Sequence, residues 1–316
     1  MGQDTIVVGV DGSDISLGAL DWAAGVAKAR GLSVHIVCAY RLPSYIAGGR
    51  AGSVVIDEQT VREGAQAVVS DAAATINDRG LEVTTEVNPG DASGILIEHS
   101  KDARAVVCGT RGGGGFADRL LGAVPSAVPA HAFSPAVVVP AARDEPFMPP
   151  RRIAVGVDGS PSAKQAVTTT LALAEAFDAE VHAVAAVPLT AGASAMAWLP
   201  STVDHEEILR DVRVSIDEVV DPILAGRDIT VHRQAVDGNP AAVLAELSEQ
   251  VDLLVVGTRG RGGFAGLVMG STSQAVLNHA TCPVIVTPTR ATDVEIAPAA
   301  PTPGKGTAAG GEQVAG

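Results

Sequence analysis

The sequence predicts an α/β fold made of two tandem, open, parallel five-stranded sheets with helices on both faces. The first observation is an internal repeat: VGVDGS around Asp11 recurs around Asp158, 147 residues later, and GTRG at Gly109 recurs at Gly257, 148 residues later. The second is that short apolar runs alternate with helical patterns in each half. Strands that alternate with helices are typical of βα units, which form parallel sheets with right-handed crossovers.

The predicted elements follow the same order in both halves. Each first strand ends in Asp-Gly-Ser, which starts a helix well because Asp and Ser side chains cap free N–H groups. We expect strands at 6–10, 33–39, 82–87, 105–108 and 136–139 in the first half and at 153–157, 180–187, 230–236, 253–256 and 284–286 in the second, with helices that include 16–30, 58–79, 162–177, 204–225 and 271–279.

The segments between these elements divide the chain. We predict a first domain at 1–142, a Pro-rich linker at 143–150, a second domain at 151–290 and a low-complexity, disordered tail at 291–316. The loops at 41–53 and 188–203 are rich in Gly, Ala, Ser and Pro and differ most between the halves. Loops of this kind are predicted to be lids or partner surfaces rather than scaffold.

Composition excludes several classes of protein. A chain of 316 residues that is 47% hydrophobic can fill two cores, and aromatics at 3% leave them to Ala, Val, Leu and Ile. The net charge of −14 disfavours nucleic-acid binding through a basic face, although local donors can still hold an anionic nucleotide. Cys38, Cys108 and Cys282 lie in apolar strands without metal spacing, which predicts reduced core thiols. We therefore expect a cytoplasmic protein with no membrane contact, since no secretion signal or spanning segment is visible.

A glycine motif in the second half has the character of a phosphate site. Gly257 and Gly260 follow a buried strand, and Gly270-Ser271 begins a helix, which gives the pattern G-x2-G-x9-G-[ST]. Glycines let backbone N–H groups approach an anion, and a helix N-terminus adds free donors and partial positive charge. No Lys follows the glycines, so this is not a P-loop. A dinucleotide fingerprint is disfavoured because Ala265 stands at its third glycine and the gap to Gly270 is long.

The two motifs of each half are predicted to meet. Asp158 follows the first strand of the second half, and Gly257 ends the fourth. Ligands of open parallel sheets bind beyond the carboxyl ends of the strands, where the strand order reverses. Asp-Gly-Ser and the glycine motif should therefore form one site.

Together with the duplication, these motifs resemble the ATP-binding branch of the universal stress protein family over about 4–142 and 151–290. The resemblance implies a Rossmann-like fold similar to that of adenine nucleotide alpha hydrolases, with ATP as cofactor and Mg²⁺ arriving on the phosphates. It places Asp158 at the ribose and the adenine near Ala186. The nucleotide site it implies in the second half comprises Gly156, Asp158, Ala186, Val256, Gly257, Gly260, Gly270, Ser271, Thr272 and Ser273. The structural alternative is that Asp158 only caps a helix and the glycines only shape a loop.

The first half matches this pattern in part. Ala123 and Pro125 stand where the second half has Ser271 and Ser273, and each lost hydrogen bond to a charged group costs about 1.5–3 kcal/mol. Ser126 is a partial substitute on a different helix face. Binding in the first half is therefore left open, and we expect it to be weaker. The matching positions are Gly9, Asp11, Ala39, Gly109, Gly112 and Gly122.

Other polar residues in the motifs have two interpretations. The loop arginines either close over phosphates or are solvated loop charges. The histidines of the repeat, in matched positions, are expected to be packing or surface residues, and with no His-rich stretch we expect no metal site. These residues are Arg111, Arg259 and Arg261, and the pairs His35 with His182 and His131 with His279.

No catalytic constellation can be assigned from spacing. The leading hypothesis is an ATP-binding stress or dormancy regulator that acts on an unknown protein partner, as the resemblance implies. A slow ATPase or nucleotide hydrolase and a dimerising module that binds no nucleotide are the alternatives. The resemblance also implies homodimers through fifth strands such as 283–287, and the two halves can pair within the chain as well as between chains.

Overall fold

The structure is a computed structural model that describes residues 4–42, 57–112, 121–141, 148–189, 204–260 and 268–289. Three predicted regions lie outside these ranges. They are the lid loops except for the first two residues of each, the first five residues of the linker, and the tail. Within them, no helix is long and apolar enough to cross a membrane.

The first half alternates strands and helices as predicted. The helix expected over 58–79 ends earlier, at Ala74, and a 3-10 turn follows at Asn77–Arg79. Thr75 accounts for the early end, because its hydroxyl donates to Ala72 O at 2.7 Å and competes with the helical pattern. The elements are β1 (Thr5–Gly9), α1 (Asp14–Arg30), β2 (Ser33–Tyr40), α2 (Glu58–Ala74), β3 (Val83–Pro89), α3 (Ala92–His99), β4 (Ala105–Gly109), α4 (Ala123–His131) and β5 (Ala136–Val139).

The second half repeats the order of the first. Strand bounds in both halves agree with the predicted ones to within two residues. The elements are β6 (Arg152–Gly156), α5 (Pro161–Phe177), β7 (Glu180–Val187), α6 (His205–Leu224), β8 (Val231–Asp237), α7 (Pro240–Leu247), β9 (Leu253–Gly257), α8 (Ser271–His279) and β10 (Val284–Thr287).

Each half forms the predicted five-stranded parallel sheet, in the order β3-β2-β1-β4-β5 and its repeat β8-β7-β6-β9-β10. The strand order reverses between β1 and β4 and between β6 and β9, and these pairs are hydrogen-bonded neighbours. In the second half, Ile153 is in register with Leu253 and Val155 with Val255. The carboxyl ends of β6 and β9 therefore lie side by side, as the sequence predicts.

The two sheets are not separate, because their fifth strands pair with each other. β5 and β10 run antiparallel with Val137 opposite Ile285, and the result is one ten-stranded sheet. Of the two arrangements left open by the sequence, pairing within the chain is the one that the structure contains. The fifth-strand edges, which were the expected surface of a homodimer, are thereby already covered.

Helices cover both faces of the sheet and bury an aliphatic core. The larger core runs through both halves and includes side chains of α1, α2 and α5 to α8, with residues such as Ile36, Leu171 and Ile285 completely buried. A smaller cluster in the first half, around Val37, Leu96 and Val106, lies on the face covered by α3 and α4. Small aliphatic side chains supply most of both clusters, as the low aromatic content requires.

Because the two sheets are joined, substitutions at the junction should lower the free energy of unfolding in a coupled way. Ile285→Ala should lower the free energy of unfolding by about 3 kcal/mol, because the side chain is fully buried between the halves. Since Val137 lies directly opposite Ile285, a double-mutant cycle with Val137→Ala should give a coupling energy of at least about 0.5 kcal/mol.

The control is a cycle of Ile285→Ala with Ile36→Ala, because β2 is four strands from β10. These two effects should add to within about 0.5 kcal/mol. Urea denaturation measures both cycles. Additivity in the Val137 cycle would contradict pairing of the fifth strands within the chain.

Candidate functional site

A cavity of about 500 Å³ opens at the carboxyl ends of β6 and β9, where the strand order of the second half reverses. All ten residues that the sequence nominated in this half line it: Gly156, Asp158, Ala186, Val256, Gly257, Gly260, Gly270, Ser271, Thr272 and Ser273. The structure therefore brings the Asp-Gly-Ser motif, the end of β7 and the glycine motif to one place.

Asp158 bridges the two motifs. Its Oδ1 accepts a hydrogen bond from Ser160 N at 3.0 Å, and Ser160, not Asp158, caps α5 by accepting from Ala163 N at 3.2 Å. Its Oδ2 lies against Gly260 so closely that a Cβ at that position would clash with it. A side chain at 260 would therefore displace this carboxylate, and glycine at that position leaves room for it.

At the start of α8, backbone donors that have no helical acceptor lie beside the cavity. Gly270 is the N-cap residue, in an extended conformation with φ −73° and ψ 151°, and supplies no side-chain hydrogen bond. The first helical hydrogen bond runs from Gln274 N to Gly270 O, so the N–H groups of the three preceding residues have no helical acceptor. Three aligned N–H groups and the positive end of the helix dipole make this helix start an anion-binding element.

This arrangement sets two helices apart from the other six. The N-cap side chains of α1, α2, α3, α5, α6 and α7 accept hydrogen bonds from their own first turns. Only α4 and α8, of the eight described helices, begin at a glycine without a side-chain cap. Both of these helices follow a glycine motif, so the missing caps coincide with the predicted sites.

Hydroxyl groups fix the loop that follows β9. Ser273 Oγ donates to Gly257 O at 2.6 Å, and Gly270 N donates to Thr258 O at 2.7 Å. The hydroxyls of Ser160 and Ser162 both donate to Arg259 O. The sequence assigned the hydroxyl of Ser273 to a phosphate, but in the structure this group holds the end of β9. Its backbone N–H remains among the donors at the start of α8.

The other end of the cavity is apolar. Val184 and Ala186 on β7 form one wall, and Pro240 and Leu244 on α7 form another. Leu244 Cδ1 packs over the end of β6, 3.1 Å from where a Cβ at Gly156 would lie. The cavity thus combines small apolar walls, one carboxylate and a cluster of N–H donors.

The first half has the same framework. Asp11 Oδ1 accepts from Ser13 N at 3.1 Å and from Ser13 Oγ at 2.6 Å, and the carboxylate lies against Gly112 as Asp158 lies against Gly260. Gly122 N donates to Thr110 O at 2.9 Å. The remaining nominated residues, Gly9, Ala39 and Gly109, lie at the ends of β1, β2 and β4.

Donors are fewer in the first half. Ile15 takes the place of Ser162 and packs against Gly109, and Pro125, which has no N–H, takes the place of Ser273. Ser126 Oγ donates to Gly122 O at 2.7 Å, within its own helix. The hydroxyl of Ser126 therefore does not replace the missing donors at the start of α4.

The loop arginines lie in different positions. Arg259 lines the cavity, and its Nε donates to Val268 O at 3.3 Å, which holds the side chain along the loop. Arg111, its counterpart in the first half, is exposed, and Arg261 lies outside the described residues.

The cysteines are buried as thiols, in agreement with the prediction of core residues. Burial raises the pKa of Cys108 to about 12. Burial, with a smaller contribution from the negative charge of Asp11, also raises the pKa of Cys38. Both thiols are therefore protonated and unreactive near neutral pH.

The histidines are arranged in a way that sequence reasoning missed. His131 and His279 are exposed in the last turns of α4 and α8, as expected. His35 and His182 instead belong to two His–His–Glu clusters, His35 with Glu86 and His99, and His182 with Glu180 and His232. The members of the first cluster come from three different elements, and in the second His232 on β8 joins Glu180 and His182 of β7, so no local sequence pattern reveals either cluster as a whole.

The sequence also missed part of the cavity lining. Ser160 and Ala163 were assigned only to the capping and first turn of α5, and the contribution of α7 was not predicted. The apolar residues of α7 and β7, which must face other elements of the fold, are the sequence signal from which Leu244 and Val184 could have been predicted. The lining residues not nominated are Val157, Ser160, Ala163, Val184, Pro240, Leu244 and Met269.

Comparison with known proteins agrees with a tandem α/β fold. The model of the universal stress protein family matches residues 3–140 and 150–288, so the chain belongs to this family and carries its domain twice. Universal stress protein Rv1996 of Mycobacterium tuberculosis is 33% identical over 311 residues, covering 89% of this chain and 94% of that protein.

Two further similarities agree with this assignment. Universal stress protein Rv2623 of Mycobacterium tuberculosis is 31% identical over 301 residues, covering 89% of this chain and 95% of that protein. The crystal structure of a universal stress protein from Archaeoglobus fulgidus has a TM-score of 0.65 and 23% identity, covering 91% and 97% of the two chains. This last similarity supports the fold.

The hydroxyl network predicts unequal effects for two serines of α8. Ser273→Ala should lower the free energy of unfolding by about 1 kcal/mol, because the buried hydroxyl bonded to Gly257 O is lost. Ser271→Ala, an identical change at an exposed position in the same turn, should change it by less than about 0.5 kcal/mol. Urea denaturation compares the two, and equal effects would show that the bond to Gly257 O contributes nothing.

Proposed function

We propose that the second-half cavity binds ATP and that the protein is a regulator whose nucleotide state alters its contacts with a protein partner. The observation that carries this proposal is the uncapped start of α8, which directs the N–H groups of Ser271, Thr272 and Ser273 into a cavity of about 500 Å³. These donors suit the phosphates of a nucleotide.

The shape and chemistry of the cavity support a nucleotide over a simple anion. Its volume lies within the roughly 300–1,000 Å³ of typical ligand pockets, which is far more than a phosphate ion fills. The apolar walls at Ala186 and Leu244 accommodate a flat base, and Asp158 offers a carboxylate to ribose hydroxyls between the base and the phosphates.

The charge of a triphosphate is balanced by groups near the loop. The chain carries a net charge of −14, so binding depends on local donors and cations. Arg259 lines the cavity beside the start of α8. Mg²⁺ enters with the phosphates, because it binds nucleotides with few protein ligands.

The differences between the halves favour one nucleotide per chain. The first half lacks the N–H at Pro125 and the hydroxyl at Ala123, and Ile15 replaces the polar Ser162 under the loop. Gly9, Asp11, Ala39, Gly109, Gly112 and Gly122 then form a degenerate copy of the site, which binds weakly or serves as a structural partner.

Regulation is favoured over hydrolysis by the residues that line the cavity. In the described part of the chain, the lining contains one carboxylate, that of Asp158, and no histidine. The Oδ1 of Asp158 is already hydrogen-bonded to Ser160 N. No lining side chain therefore has the arrangement expected of a dedicated general base.

A cytoplasmic location and self-association complete the proposal. Buried thiols and ATP both fit the cytoplasm. Because β5 and β10 pair within the chain, a homodimer of the kind implied by the family would use surfaces other than the fifth strands.

The test uses two matched substitutions, Gly270→Glu and Gly122→Glu. The two glycines have similar backbone angles, and a Cβ at either position lies 3.4 Å from the carbonyl oxygen of the matching threonine. Each change therefore places the same bulk and negative charge in one of the two loops. Calorimetric titration of the full chain with MgATP should give about one site, weakened at least about 100-fold by Gly270→Glu and little changed by Gly122→Glu.

The other outcomes are informative. Two sites per chain would show that Ala123 and Pro125 are tolerated and that the asymmetry between the halves is wrong. No binding at all would overturn the nucleotide proposal and favour a dimerising module. Steady phosphate release abolished by Asp158→Ala would identify a hydrolase instead of a regulator.

A further inference from the structure

The cluster of His35, Glu86 and His99 lies apart from the nucleotide cavity, near one outer edge of the ten-stranded sheet. His35 is on β2, Glu86 on the edge strand β3, and His99 is the last residue of α3. Along β2, Val34 and Ile36 point into the larger core, so His35 points to the opposite face, where α3 packs. The three side chains thus come together between the sheet and the last turn of that helix.

The side chains converge on one point. Glu86 Oε2 lies 3.0 Å from His35 Nε2 and 3.6 Å from His99 Nε2, and the three atoms all lie within 4.8 Å of one another. Metal–ligand bonds of about 2.0–2.2 Å place the ligand atoms of one ion about 3.0–3.5 Å apart, at octahedral to tetrahedral angles. Small movements of Glu86 and His99, which are only partly buried, would bring all three atoms into this range.

Neighbouring side chains orient two of these ligands. Thr84 Oγ1 lies 2.8 Å from His35 Nδ1, and Asn88 Nδ2 donates to Glu86 Oε1 at 2.8 Å. In metal sites, the second ring nitrogen of a ligating histidine is commonly hydrogen-bonded, and so is the second oxygen of a ligating carboxylate. In an ion-bound form, Nδ1–H would donate to Thr84 Oγ1 and leave the lone pair of His35 Nε2 for the ion, in place of the present contact with Glu86.

We propose that His35 Nε2, His99 Nε2 and Glu86 Oε2 bind a divalent first-row transition ion, with Zn²⁺ as the reference ion. Two imidazoles and one carboxylate suit Zn²⁺ and its neighbours, whereas Mg²⁺ and Ca²⁺ prefer ligand sets made of oxygen. Glu86 is 39% exposed, so water can complete the coordination. The ion would join β2, β3 and the end of α3, and thereby fix an outer edge of the sheet.

The second cluster, at the opposite edge of the sheet, provides an internal comparison. His232 Nε2 and His182 Nε2 lie 3.4 and 3.6 Å from different oxygens of Glu180, and the two rings stack with centroids 4.9 Å apart. The side chain of His232 is 47% exposed. This more open arrangement is the weaker candidate, and the proposal concerns the first cluster.

The experiment titrates the full chain with Zn²⁺, without nucleotide, after removal of any histidine tag and treatment with a chelator. Competition with a chromogenic chelator should give a site with a Kd tighter than about 10 µM. His99→Gln and Glu86→Gln should weaken it at least about 100-fold, and Thr84→Val, which removes an orienting hydroxyl, should weaken it about tenfold. The matched control His131→Gln, on an exposed helix end, should leave the affinity unchanged.

Two further measurements make the result decisive. Zn²⁺ should raise the Tm of the unmodified chain and of His131→Gln but not that of His99→Gln, because a ligand stabilises the folded state that binds it. Gly270→Glu should retain the Zn²⁺ site, so failure of the nucleotide proposal would not be mistaken for failure of this one. If the chain binds two Zn²⁺ ions and His232→Gln removes only one of them, while the site at His35, Glu86 and His99 is retained, the result is consistent with the proposal. No Zn²⁺ binding in this range, or binding that His99→Gln and Glu86→Gln leave unchanged, would overturn it.

Discussion

The side-by-side parallel pairing of β6 and β9 is the constraint on which the candidate site depends. It places the carboxylate that follows β6 against the loop that follows β9, and Asp158 then occupies the space that a side chain at 260 would need. Glycine at that point lets the carboxylate keep this position. It is held in place by the bond from Gly270 N to Thr258 O, which positions the start of α8. A backbone arranged in this way places N–H groups without a helical acceptor beside a carboxylate, and a ligand with both anionic and hydroxyl groups would suit both.

Because the chain is duplicated, the contacts that form the framework can be distinguished from the polar groups that only the second half has. Both halves have the carboxylate against a glycine, the bond from the N-cap glycine to a threonine carbonyl, and a helix without a side-chain cap. They differ where hydroxyls in the second half contact loop carbonyls, since Ile15 and Pro125 replace Ser162 and Ser273. The fold survives these replacements because Pro is well tolerated early in a helix, and apolar packing can replace the polar contact. At the start of α4 they remove one of the three backbone N–H groups, that of Pro125, while those of Ala123 and Val124 remain.

Much of the fold follows from sequence because it depends on local pattern. Continuous apolar runs such as Leu253–Gly257 locate the buried strands, and Asp-Gly-Ser locates the starts of α1 and α5. The ten nominated residues of the second half lie together because β6 and β9 are parallel neighbours, as expected where the strand order of such a sheet reverses. Their role in binding remains a prediction.

The features that sequence did not reveal depend on contacts between distant segments. From the sequence, the hydroxyl of Ser273 was assigned to a phosphate. In the structure it donates to Gly257 O, which lies 16 residues earlier in the chain. The first His–His–Glu cluster joins His35 to partners more than 50 residues later, and the second joins His182 to His232 on the next strand. The sequence left open whether the fifth strands pair within the chain or between chains, because the apolar sequence of a strand does not determine which strand it pairs with. In the structure β5 pairs with β10 of the same chain.

The central claim is that the backbone donors at the start of α8 receive the phosphates of a nucleotide. The most direct test follows the amide resonances of Ser271, Thr272 and Ser273 in ¹⁵N-labelled protein as MgATP is added. The account predicts large shifts and slowed hydrogen exchange at these three amides, with little change at Ala123 and Val124 at the start of α4. Unchanged amides at Ser271, Thr272 and Ser273 under saturating MgATP would contradict it.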